Sequence, residues 1–279
     1  MVGARKVVLI TGCSEGGIGF WLAKEYAAFG CKVYATARRT EAMASLVDPN
    51  IDKLRMDVTD EASIKAAVDE IIEKDGRIDV LVNNAGMTCS GPIAEIDFER
   101  ITQTYNTNVF GVIRTAKAVI PHMASLKSGT IVNIGSVLGE IPLPFTGVYA
   151  SSKAAVHALT DALYMECQPL GISVVLVAAG GVRTMGTNFS VPSTELYPEY
   201  AGVIAGEFDP ARTARGTPPE DFARVVVGKS LARAPARVVV VGLGSSVVRF
   251  LTWFPRGWVL RTVWNQMVEK HKVALAKSK

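Results

Sequence analysis

Short runs rich in β-branched residues alternate with longer segments of helical period, and this alternation constrains the chain more than any other feature. The runs are "KVVLIT" (6–11), "KVYATA" (32–37), "KLRMDV" (53–58), "DVLVNN" (79–84), "GTIVNIGS" (129–136), "ISVVLVAA" (172–179) and "ARVVVVG" (236–242). Helix-like stretches lie between them near 18–29, 61–75, 98–126, 149–168 and 219–233. Strands that are apolar on both faces, each followed by a helix, predict a parallel sheet covered on both sides. The expected fold class is therefore α/β, a doubly wound parallel sheet of Rossmann type, with a C-terminal helical extension. At 279 residues, 49% hydrophobic and 20% charged, the chain can bury a sizeable core, so a single domain over 1–279 is expected and disorder as the main state is excluded.

Cys13, Cys31, Cys89 and Cys167 show no C-x-x-C spacing, and His122, His157 and His271 stand far apart. Reduced thiols and no metal site are the expectation. The N-terminus runs into an apolar strand within a few residues, and no apolar run reaches the ~18 residues that span a bilayer. With the thiols read as reduced, a cytoplasmic location is the expectation, and nucleic acid is not among the expected partners. The formal charge of +4 is unevenly spread: residues 1–210 hold 17 Lys/Arg and 23 Asp/Glu, residues 211–279 hold 13 and 3. An anion would be drawn to the C-terminal quarter. One stretch, about 184–218, breaks the alternation and is rich in Pro, Gly, Ser and Thr. Inserts of that length are functional lids or linkers, and the aromatic content here predicts a lid over a substrate pocket.

After the first strand comes "TGCSEGGIG" (11–19). Gly12, Gly17 and Gly19, with Gly16 beside them, fall in the turn from strand to helix. There the absence of side chains lets a pyrophosphate reach the backbone N–H groups and the positive helix end. The second strand ends "ATARR", where Arg38 and Arg39 stand in place of the carboxylate that binds a free ribose hydroxyl. A guanidinium clamps a phosphate with paired charge-assisted bonds. The predicted cofactor is therefore NADPH/NADP, with Arg38 the favoured clamp.

The ordered motifs "TGCSEGGIG", "DV" (57–58), "NNAG" (83–86), "NTNVFG" (106–111), "IVNIGS" (131–136), "YASSK" (149–153) and "GGVRT" (180–184) give the chain a close resemblance to the short-chain dehydrogenase/reductase family over roughly residues 5–185. The resemblance implies a catalytic group of Asn108, Ser136, Tyr149 and Lys153. It further implies that Ser14 and Ile18 join the loop glycines at the dinucleotide, and that Asp57 and Val58 lie by the adenine. Asn83, Asn84, Ala85 and Gly86 would border the cofactor, and Val182 and Thr184 would lie near the carboxamide. The loop is one residue longer than the family's usual pattern, so Gly16 and Gly17 compete for its middle role. Ala179-Gly180 replaces the more frequent Pro-Gly.

Lys153 follows Tyr149 by one helical turn, which places a cation near the phenol and favours the phenolate. The expected consequence is a Tyr149 pKa well below the ordinary ~10, matched to proton donation at neutral pH. Ser136 would orient the substrate carbonyl in the manner of an oxyanion hole, and the family reading has Asn108 anchoring a water that resupplies protons.

Substrate choice falls to the irregular insert and the tail. The loop, "VYATARR" and "VPSTELYPEY" most resemble fungal reductases of the 1-acyldihydroxyacetone-phosphate reductase type, which implies reduction of a lipid ketone. A secondary-metabolite, polyketide-type ketoreductase or a steroid-type dehydrogenase would keep the same motifs, as would a non-catalytic NADPH-binding sensor. The tail, about 245–279, mixes Trp, Phe and Leu with Arg and Lys. Leu260, Val263, Trp264, Met267 and Ala274 make an approximate helical stripe. Such a segment lies on an intracellular membrane or lipid droplet, or packs on its own domain or on the partner subunit of a homo-oligomer.

Overall fold

In the computed structural model, residues 5–184, 194–206 and 214–269 are described. Seven strands form one sheet: β1 (Val7–Thr11), β2 (Lys32–Ala37), β3 (Ile51–Arg55), β4 (Val80–Asn83), β5 (Gly129–Ile134), β6 (Ile172–Ala179) and β7 (Val238–Val241). Their order is β3-β2-β1-β4-β5-β6-β7, and every neighbouring pair is parallel. The helices are α1 (Ile18–Ala28), α2 (Glu61–Asp75), α3 (Phe98–Tyr105), α4 (Gly111–Ser125), α5 (Gly147–Cys167), α6 (Ala201–Gly206), α7 (Pro219–Ser230), α8 (Ser245–Leu251) and α9 (Arg256–Trp264).

Successive strand residues point to opposite faces, so β1 feeds two cores at once. Val8 and Ile10 pack with Phe20 and Tyr26 of α1 and with Phe222 and Val226 of α7. Leu9 packs on the other face with Ile64 and Ile71 of α2 and with Val119 and Met123 of α4. The Tyr26 hydroxyl lies 2.6 Å from Ser230 Oγ, satisfying both buried hydroxyls where α1 meets α7. Local chemistry sets the helix limits. Asp60 caps α2 by accepting from Ala62 N–H at 2.9 Å, and Gly76 ends it at φ +71°. Outward from β1 the chain lays down β2 and β3, then crosses back to β4 on the other side of β1. Ligands of such sheets bind at this reversal, beyond the carboxyl ends of the strands.

Three elements depart from the sequence-based expectation. β3 pairs with β2 from Ile51↔Val33 to Arg55↔Ala37, two residues earlier than expected at its start. Met56, Asp57 and Val58 are therefore released from the sheet and reach the cleft. The helix expected over 98–126 is interrupted by a π-turn at Asn106–Phe110, a feature frequent at functional sites. In the tail, Leu260 is exposed and Val259 and Val268 are the buried positions. Of the predicted stripe, Val263, Trp264 and Met267 are half-buried while Leu260 is exposed, and Ala274 lies outside the described residues. All four cysteines are free and buried. Among the described residues no helix is long and apolar enough to cross a membrane.

Candidate active site

The turn after β1 is built for close approach. Gly12 adopts φ +73°, and a Cβ there would lie 2.8 Å from Ala85 Cα. A Cβ on Gly19 would lie 2.5 Å from both Gly12 O and Asn84 Nδ2, so the first turn of α1 can pack on the loop only as glycine. Thr11 Oγ1 accepts from the N–H groups of Asn84 (2.9 Å) and Ala85 (2.8 Å). The Asn84 amide donates back to Thr11 O (2.8 Å) and Gly12 O (2.9 Å). Two loops that are 72 to 74 residues apart in sequence thus become one rigid floor.

Above that floor opens a cleft of about 980 Å³. Following the strand order, it is lined by Ala37 and Arg38 after β2, by Gly12, Ser14, Gly17 and Ile18 after β1, and by Ser136 after β5 with Tyr149 and Lys153 of α5. Lys153 is buried and donates to Ile134 O at 2.8 Å. The Ser136 side chain hydrogen-bonds to the Tyr149 phenol, and its Oγ accepts from Leu138 N–H at 3.2 Å. Asp57 holds the Thr59 N–H and hydroxyl at 2.9 and 2.8 Å. Burial raises the Asp57 carboxyl, but the Thr59 bonds and the charges of Arg38 and Arg55 outweigh it, leaving its pKa lowered. The arrangement can offer an anion-accepting loop at the centre of the cleft and a phenol beside a hydroxyl at one end.

A family model described as short chain dehydrogenase matches residues 6–193. The chain belongs to the short-chain dehydrogenase family. It is 38% identical over 216 residues to an NADPH-dependent 1-acyldihydroxyacetone phosphate reductase of Schizosaccharomyces pombe, covering 74% of this chain and 73% of the relative. It is 39% identical over 234 residues to the short-chain dehydrogenase ptmH of Penicillium ochrochloron, covering 82% and 86%. Among solved structures, a short-chain dehydrogenase from Streptomyces avermitilis superimposes with a TM-score of 0.81 at 28% identity, covering 99% of this chain and all of that one.

Within this short-chain dehydrogenase, most of the expected positions converge on the cleft. Asp57, Val58, Asn84, Ala85, Gly86, Val182 and Thr184 all line it. Gly17 caps α1 and lines the cleft, whereas Gly16 (φ +76°) makes the preceding turn and is not among the lining residues. Arg39 is not among the lining residues: Arg38 turns to the cleft, and Arg39 precedes a short 3-10 turn that begins at Thr40.

Asn83 also departs from expectation. It is buried in a polar ladder, donating to Asn133 Oδ1 (2.8 Å) and accepting from the Thr115 hydroxyl (2.6 Å), while Asn133 donates to Thr160 Oγ1 (3.0 Å). Asn108 sits behind the cleft wall. The π-turn aims its amide at Met87, accepting from Met87 N–H (2.8 Å) and donating to Met87 O (2.9 Å), and at Ser152 Oγ (3.0 Å). Asn108 thereby ties the loop after β4 to the helix that carries Tyr149 and Lys153.

In the free protein the Tyr149 phenol is shifted in the direction opposite to the one expected of it beside Lys153 and the oxidised nicotinamide. Burial raises its pKa and the Ser136 bond opposes that rise. Lys153 is itself driven down from 10.5 to about 8, because its ammonium has left water. Lysine at one helical turn is thus a spacing the sequence shows, but desolvation of both groups is the larger effect in the free protein.

Stability should register this burial. Below the folded pKa of about 8, both folded and unfolded states hold the Lys153 proton and the fold bears the full desolvation cost. That cost fades as pH rises from about 8 to 10.5, where only the unfolded state still holds it. The shift corresponds to roughly 3 kcal/mol. Lys153→Met, which also loses the bond to Ile134 O, is expected to be more stable than wild type by about 1–3 kcal/mol at pH 7. Urea unfolding of the free proteins should show that advantage shrinking by pH 10.

Sequence reasoning missed His157. Its Nε2 accepts from Ser136 N–H at 3.4 Å, and burial lowers its pKa, which keeps the acceptor neutral. The available signal was its position one turn beyond Lys153 on the same helix. Arg100 of α3 also lines the cleft, and no motif marked it.

Proposed function

We propose that this chain is an NADPH-dependent carbonyl reductase whose substrate is a lipid ketone of the 1-acyldihydroxyacetone phosphate kind. The observation that carries the reading is the single cleft in which Tyr149, Ser136 and Lys153 stand at one end and Arg38 at the other. NADPH fits this cleft by its chemistry: Gly12, Gly17 and the α1 N-terminus would take the pyrophosphate, Arg38 the 2′-phosphate, and Lys153 the nicotinamide ribose. When bound, that group supplies hydride to the carbonyl carbon.

The chain's own residues do the rest. Ser136 donates a hydrogen bond to the carbonyl oxygen, orienting it and stabilising the charge that develops there. Tyr149 gives its proton to the same oxygen as the carbon–oxygen double bond becomes single, so the product leaves as an alcohol. The Lys153 ammonium, nearest to the Tyr149 ring at 5.8 Å from its centroid, stabilises the phenolate left behind. Asn108 keeps α5 fixed against the Met87 loop while this occurs.

The lipid assignment draws support from the name of the Schizosaccharomyces pombe relative. Phe145 packs edge-on against Tyr197, at 5.9 Å between centroids. Glu95 accepts from the N–H groups of Glu195 and Leu196, both at 2.7 Å, and so latches the 194–197 stretch of the proposed lid. The test is turnover with product identification. Purified protein and NADPH, offered acyl-dihydroxyacetone phosphates, other long-chain ketones and polyketide-type ketones, should consume NADPH at 340 nm with the phosphorylated lipid at lowest concentration. Preference for a polyketide ketone would replace the lipid assignment, and tight NADPH binding with no consumption across the panel would remove the enzyme reading.

A further inference from the structure

We propose that the outer face of the C-terminal helix pair, α8 and α9, docks on an anionic lipid surface, through Val247, Phe250, Trp253, Phe254 and Trp258. This inference stands on the surface of the molecule alone and needs no particular substrate.

The helix pair has two unlike faces. Inward, Val259 and Val268 are buried, and the Trp264 ring lies 5.8 Å from that of Tyr200. Outward, Val247 is 62% exposed, Phe250 63%, Trp253 86% and Trp258 53%. The outward rings are not scattered. Phe250 stacks edge-on against Phe254 at 5.2 Å, and Phe254 meets Trp258 at 5.4 Å, so three aromatics form a continuous ladder across the α8–α9 corner. A contiguous exposed aromatic patch of this kind marks an interaction surface rather than ordinary surface scatter.

Charge selects the occupant. Residues 245–264 contain Arg249, Arg256 and Arg261 and no Asp or Glu. A second copy meeting this face across a twofold axis would set the same patch against itself, Arg256 and Arg261 facing their own copies, with Glu140 already spent on Arg249. An anionic bilayer supplies both missing complements: an apolar layer for the rings, which favour the headgroup boundary, and phosphates for the exposed Arg256 and Arg261 guanidiniums.

The helix pair is also held in register with the cleft. Arg249 pairs with the Glu140 carboxylate at 2.7 Å, and Arg256 donates to Glu140 O at 3.1 Å. Glu140 closes the 3-10 turn that begins beside Ser136. A surface gripped by the aromatic ladder would thus lie beside the segment that carries the carbonyl-orienting hydroxyl.

The experiment is co-sedimentation of the full chain with phosphatidylcholine vesicles and with vesicles that also contain phosphatidylserine, read together with tryptophan emission. Wild type should sediment with the anionic vesicles and shift its emission to the blue. The triple variant Phe250→Ser, Trp253→Ser, Trp258→Ser should lose about tenfold or more in partitioning, while its circular dichroism and its turnover of a water-soluble ketone stay unchanged. Tyr149→Phe should bind vesicles as wild type does, which separates this inference from the reductase reading. Wild type remaining in solution with anionic vesicles would overturn it. So would undiminished sedimentation of the triple variant, or a wild-type dimer that the variant converts to monomer without any vesicle binding.

Discussion

Tyr149→Phe is expected to lower kcat by about 100- to 10,000-fold, the range carried by a positioned general acid, while leaving NADPH affinity within a few-fold of wild type. The phenyl ring fills the same space, so packing around α5 is kept and only the hydroxyl is lost. Substrate oxygen then gains charge with Ser136 as its hydrogen-bond donor and no proton source at hand. Because burial raises the phenol's pKa, wild type keeps this proton throughout neutral pH. Full activity in the variant, measured by single-turnover NADPH oxidation beside equilibrium cofactor binding, would remove Tyr149 from its role and return the search to other donors in the cleft.

Arg38→Asp is expected to cut the ratio of kcat/KM for NADPH over NADH by about 100-fold or more. Loss of a charge-assisted bond to phosphate costs about 1.5–3 kcal/mol, and the new carboxylate adds repulsion of phosphate and an acceptor for a free ribose hydroxyl. Arg39→Asp should move the ratio much less, since Arg38 lines the cleft and Arg39 does not. The side-by-side comparison is the measurement. Equal effects of the two substitutions would mean that the phosphate is held by the general basic field of the turn and not by one guanidinium.

The legible part of the site was the part encoded by short spacings. A glycine turn between the first strand and first helix, a serine at the end of the fifth strand and a tyrosine with lysine at four residues all fall where the parallel sheet gathers its carboxyl ends. Asn83 and Asn108 were legible as members of motifs but not in their work, because their amides are spent on partners 50 and 44 residues distant, Asn133 and Ser152. His157 was silent for the same reason: only the fold puts its ring under the Ser136 backbone.

The tail followed a similar rule. Its aromatic and basic composition was plain in the sequence, yet which helical face turns inward depended on Trp264 meeting Tyr200 and on two arginines meeting Glu140. Within the stripe Trp264 turns inward, whereas Leu260 is exposed and its neighbour Val259 takes the buried position.

By itself the sequence determined the alternating parallel architecture, the crevice at the reversal of strand order, and the chemical groups that gather there. These follow from local periodicity and from spacing along single elements. Only the tertiary structure decided how those groups are tuned: Arg38 in the cleft and Arg39 outside it, Tyr149 raised and Lys153 lowered, Asn108 turned inward by a π-turn. Desolvation and hydrogen-bond partnership depend on which distant segments exclude water from a side chain, and no spacing within one element encodes that.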